Sequence, residues 1–140
     1  MPPPNMTVFD AESREVCSVR RQASNTPLQA LNLLNDVTYV EAARHLAYRI
    51  LSEAGQSTTD RLTYAMELVT TRLPSPEELA VIERGLNAIL GEYRQNPKQA
   101  AELLTHGESE VPGNHNPVEH AAWTQLALML FNLDEAMTRQ

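Results

Sequence analysis

Apolar residues recur at three- and four-residue intervals from about residue 27 onward, and hardly at all before it. Val40, Ala43, Leu46, Ala47, Ile50 and Leu51 trace one stripe, and Leu62, Ala65, Met66 and Val69 a second. Leu79, Ile82, Leu86, Ile89, Leu90 and Tyr93 make a third. This is the period of an amphipathic helix. A last stripe, Trp123, Leu126, Ala127, Leu130, Phe131 and Met137, is expected to face inward from a C-terminal helix.

Four helix starts share one grammar: Thr26-Pro27-Leu28-Gln29, Ser75-Pro76-Glu77-Glu78, Asn96-Pro97-Lys98-Gln99 and Asn116-Pro117-Val118-Glu119. In each, the cap side chain is placed to accept from an orphan amide. Proline stands where its missing N–H costs nothing, and a Gln or Glu at the third position can reach back to the cap. The spacing predicts helices from about Pro27 to Leu34, from an Asn35-Asp36 cap to Ala54, and from Thr59 or Asp60 to a stop at Pro74. Further helices are predicted over Pro76 to Arg94, over Pro97 to Thr105, and from Pro117 onward. The fold class is all-α, about six helices in a compact bundle preceded by an irregular N-terminal arm. Residues 1–25 are read as that arm, anchored on the body through Phe9, Val16 and Val19, and residues 26–140 as the helical domain.

Composition narrows the function classes. Aromatics are only 5% of the 140 residues, so the core is built from aliphatic side chains and alanine, which suits helix packing. The net charge of -7 argues against nucleic acid and against an anionic membrane surface, since both need a basic patch and only Arg20 and Arg21 stand together. The apolar run from Ala121 to Leu133 is interrupted by polar residues and is shorter than the ~20 residues of a membrane span. Met1-Pro2-Pro3-Pro4-Asn5 has neither the basic start nor the apolar run of a signal peptide, and the abrupt triple proline reads as a piece of a longer chain.

Little reactive chemistry is written in the sequence. His106, His115 and His120 fall in or beside one polar loop, residues 106–116, with Glu108, Glu110 and Glu119, but their spacing matches no zinc motif; a solvated loop and a helix first turn would carry the same residues. His45 is read as a half-buried packing residue. Cys17, the single cysteine, has Arg14, Arg20 and Arg21 nearby to favour a thiolate, yet no base or orienting partner can be identified for it. Glu77 and Glu78 are accounted for by a helix first turn. Asn32, Asn35 and Asn132 are expected to be buried amides that clamp the arm or a helix junction. No catalytic, cofactor-binding or metal-binding residues are assigned.

The runs Phe9-Asp10, Ser13-Arg14-Glu15-Val16-Cys17, Val19-Arg20-Arg21 and Asn25-Thr26-Pro27-Leu28-Gln29-Ala30-Leu31 through Leu34-Asn35-Asp36 resemble a planctomycete-specific domain of unknown function. Val40-Glu41-Ala42-Ala43-Arg44, Arg72 with Pro74, Glu77-Glu78-Leu79, and Trp123 to Asn132-Leu133-Asp134-Glu135 fit the same pattern. The resemblance implies the C-terminal portion of a large exported protein that often carries a cytochrome-c-type haem domain upstream. The haem would then lie elsewhere in the parent, since this chain has no Cys-x-x-Cys-His. The implied partners are other domains of the parent or a separate protein, and the implied role is a non-catalytic interaction or structural module. The alternative is an enzymatic or ligand- or haem-contacting site completed only in the full-length protein. The candidate interaction arm is Asp10, Arg14, Cys17, Arg20 and Arg21, the stretch that no helix end explains.

Overall fold

The computed structural model describes residues 26–111 and 113–137; of Leu33 only the backbone is described. The arm, residues 1–25, with all five of its candidate residues, lies outside them. Seven helices are formed among the described residues: α1 (Pro27–Asn35), α2 (Val37–Glu53), α3 (Thr58–Thr70), α4 (Pro76–Gln95), α5 (Pro97–Leu104), α6 (Pro117–Phe131) and a single turn, α7 (Asp134–Met137). The all-α reading holds, and the six predicted helices are α1 to α6.

The capping grammar is used unevenly. Thr26 and Ser75 form complete capping boxes with Gln29 and Glu78. Asn116 accepts from the amides of Val118 and Glu119, but the Glu119 carboxylate turns away to Arg61 of α3 at 2.8 Å rather than reaching back. Asn96 makes no side-chain cap bond at all. It is the only residue between α4 and α5, and its backbone (φ -126°, ψ 65°) is spent on turning the chain. Asp36 is likewise a one-residue joint, closing α1 through its N–H to the Asn32 carbonyl and opening α2 by accepting from the Thr38 amide. Helix α3 begins earlier than Thr59, because Ser57 caps it through the Asp60 amide.

α6 occupies the centre and touches each of the other described helices. It was expected to bury one stripe. It buries Ala121, Ala122, Trp123, Thr124, Leu126, Ala127, Leu128 and Leu130, a nearly continuous apolar cylinder. A helix apolar all round is one surrounded by protein, and Ala121, Ala122 and Ala127 let neighbouring backbones approach closely. The main core joins Ala47, Ile50 and Leu51 of α2, Leu62, Ala65 and Met66 of α3 and Leu86 of α4 to Ala122, Trp123 and Leu126 of α6. Two smaller clusters, around Val40 with Leu128 and around Ala100 with Ala121, also depend on α6. Phe131 and Met137, expected inside, are only half-buried. No helix of the described residues is long and apolar enough to cross a membrane.

The two Asx/Ser caps flanking α4 should behave differently. Ser75→Ala is expected to cost about 1 kcal/mol in urea unfolding, while Asn96→Ala costs a few tenths at most. Equal losses would contradict the assignment of Asn96 to the turn rather than to a cap.

Candidate functional site

The least expected side chain is Arg44. It sits on the apolar stripe of α2, four residues after Val40 and three before Ala47, and is 1% exposed. A buried guanidinium is tolerated only when its protons are bonded. Arg44 Nη1 donates to the carbonyls of Leu104 and His106 (2.9 Å to the latter), and Nη2 donates to the Ser109 carbonyl and Oγ, both at 2.8 Å. Its Nε has no partner among the described residues. One turn earlier, Glu41 lies 3.7 Å from Nη2 and accepts from the amides of Ser109 (2.8 Å) and Glu108 (3.4 Å). Those Ser109 and Glu108 contacts, with Arg44 beside them, hold the Glu41 carboxyl below its ordinary value.

The polar loop is therefore strapped to α2 rather than left to solvent. Its glycines allow the approach. Gly107 has φ 111° and faces Glu41, and Gly113 has φ 71° and faces the ring of Tyr48; a Cβ at either would collide with that side chain. Further along, Ser52 Oγ is hydrogen-bonded to His115 Nε2 at 3.0 Å. The His115 ring lies 5.5 Å from that of Tyr48 and 6.2 Å from that of His120, edge-on.

Two histidines depart from expectation. His45 is exposed rather than half-buried, and its Nε2 is hydrogen-bonded to Ser109 Oγ at 2.9 Å. His120 is 1% exposed, although it stands in a helix first turn. Its Nε2 lies 3.0 Å from the Arg44 carbonyl, which can only accept, so Nε2 carries a proton. Burial pushes the His120 pKa below its ordinary 6.5, and the Arg44 carbonyl opposes that shift. Of the three loop histidines, His115 and His120 come together while His106 is exposed; among the described residues no group of three or more His, Cys, Asp or Glu could hold a metal.

Two Ser–His pairs, Ser109 with His45 and Ser52 with His115, meet the first requirement of a nucleophile and its base. Among the described residues no carboxylate bonds the other ring nitrogen of either histidine, and the Arg44 donors that might hold an oxyanion are spent on the loop. The arrangement can fasten two segments. The clamping amides are also simpler than expected: Asn35 is exposed and bonds the Leu31 carbonyl of its own helix, Asn132 bonds Leu128 in the same way, and Asn32 Nδ2 has no partner among the described residues.

A second polar centre lies where α3 ends. Thr71 closes α3 in the left-handed region (φ 60°), and Arg72 then reaches Glu78 of α4 at 2.6 Å and Glu135 of α7 at 2.9 Å. The Arg72 bond, aided by the Ser75 amide, draws the Glu78 carboxyl down to about 2, so it stays ionised and cannot serve as a proton donor near neutrality. This bridge borders a groove of about 440 Å³, floored by Met66, Val81, Ile82 and Leu133, with Glu77, Glu78, Asp134 and Glu135 along its edges.

A family model described as PSD1, protein of unknown function (DUF1553), matches residues 1–86. That is more than half of the chain. The chain belongs to the PSD1 family. No curated protein matches it, and no solved structure does. The PSD1 match takes in Glu41, Arg44, Arg72 and Glu78 and stops within α4, so the loop that Arg44 holds and the central α6 lie beyond it.

Arg44 was missed although its position was legible, because the 40–44–47–51 spacing puts it squarely on the buried face. Arg44→Leu should destabilise by about 2–4 kcal/mol through unsatisfied carbonyls, and amide hydrogen exchange across 104–116 should lose protection first. A uniform rise in exchange would contradict the strap. His120 supplies a pH signature. With its folded pKa lowered, the stability that it contributes is present above the unfolded value near 6.5 and is lost as pH falls through the folded one. Unfolding free energy should therefore drop between pH 7 and pH 5, and His120→Gln should flatten that slope; identical slopes would show that His120 is not buried neutral.

Proposed function

We propose that this chain is a non-catalytic helical interaction module, the C-terminal portion of a larger exported planctomycete protein. The observation that carries the reading is the apolar face left bare on α1 and the start of α2. Leu28, Leu31 and Val37 are 58%, 57% and 50% exposed, and Leu34 is exposed beside them. Such a contiguous ridge on a small domain marks a contact surface, and burying a leucine fully is worth about 1.5–3 kcal/mol. The partners it suits are another domain of the parent or a separate protein that offers an apolar groove. The engagement of both Arg44 Nη groups and of the Glu41 carboxylate with the 104–109 segment favours this over catalysis. The resemblance of the Arg14–Asp36 stretch supports the planctomycete parent, its export and a haem domain upstream.

The alternative, a site completed in the full-length protein by the Arg14–Arg21 arm and the 106–120 loop, draws on the His115–Ser52 pair. The two readings separate in the intact parent. Leu28→Glu with Leu31→Glu should leave the melting temperature of the module within about 2 °C but abolish its protection of neighbouring domains in limited proteolysis. Unchanged protection would sink the module reading. Loss of a parental activity on Ser52→Ala with His115→Ala, at unchanged stability, would favour the alternative.

A further inference from the structure

We propose that the groove bordered by the Arg72 bridge is the seat of the chain's own basic stretch, Arg14 to Arg21. The groove asks for a segment of mixed character. Its floor is apolar, and Val81 on that floor is 58% exposed. Among the described residues its edges carry the carboxylates of Glu77, Glu78 and Glu135 beside the guanidinium of Arg72, which is itself engaged by Glu78 and Glu135. An occupant must therefore bring apolar anchors flanked by positive charge.

The chain contains one stretch of that composition. Of its 11 Lys and Arg residues, Arg14, Arg20 and Arg21 fall within eight positions and enclose Val16 and Val19. The connection permits the match. Thr26 opens α1, α1 packs on α6, and the chain leaving α6 forms the Leu133–Glu135 wall of the groove. Extended, the chain from Val16 to Thr26 reaches ~34 Å, comparable to the ~30 Å diameter of a small domain. Tethering gives the segment a millimolar-range effective concentration, an advantage over a separate peptide of the same kind. A second copy of this chain is disfavoured, because its net charge is -7 and its own groove edge is acidic.

Cys17 is the single cysteine and lies inside the proposed segment, so it can report its position. With a nitroxide on Cys17 of the full chain at low salt, the amides of Val81, Ile82 and Leu133 should lose at least about half their intensity. Glu77→Lys with Glu135→Lys, or added salt, should restore it. A second label at Ser13→Cys in a Cys17→Ser background guards against displacement by the first and should broaden the same groove. Broadening centred on another face, on none, or indifferent to the charge reversal overturns the proposal. The inference is independent of the module reading: an arm found elsewhere leaves the α1 proteolysis test untouched.

Discussion

The fold depends on one helix being dissolved in the others. α6 has almost no face turned to water, so every other helix is positioned by the need to cover part of it. This makes the few polar groups of α6 demanding. Thr124 returns its hydroxyl to the His120 carbonyl at 2.8 Å, and His120 uses its Nε2 proton on the Arg44 carbonyl. Glu119, at the helix mouth, is paired with Arg61. For Thr124 and His120 the bond answers the cost of placing a polar atom where no solvent reaches, while the Glu119 pair is partly open to water.

Arg44 extends that logic from one residue to a segment. Its main chain satisfies His120 while its side chain satisfies the last carbonyl of α5 and two carbonyls of the loop that leads into α6. The strap thus ties the entry of the central helix to the helix that covers it. A lysine there could not do the same, having neither the planar fork nor the reach to serve separated carbonyls at once. The centre at Arg72 works in the open, across three helix ends, where screening by water leaves geometry rather than energy as its main contribution.

Much of the fold was legible because helix starts and apolar spacing are local properties. Thr26 and Ser75 cap as their tetrapeptides foretell, and the stripes on α2, α3 and α4 face inward as spaced. What was not legible depends on partners distant in sequence. The helical spacing puts Arg44 rather than His45 on the buried face, but nothing near it says what would satisfy a buried guanidinium; the segment sixty residues away does that. His120 looks like a first-turn surface residue until α2 is laid over it. Asn96 looks like a cap until the one-residue joint makes turning its first task. The arm's candidate residues, Asp10, Arg14, Cys17, Arg20 and Arg21, lie outside the described residues, and their role rests on composition and charge.

The position of α6 along the chain has a consequence for synthesis. The helix on which the others converge is made only after α1 to α5. Their apolar stripes then have no common surface to cover, and at a translation rate of about 5–20 residues per second the interval from the end of α3 to the end of α6 lasts several seconds. During it the nascent chain is a string of amphipathic helices without a centre. A chaperone that holds such helices apart would act on this protein in that window, before α6 gives the stripes a surface to cover.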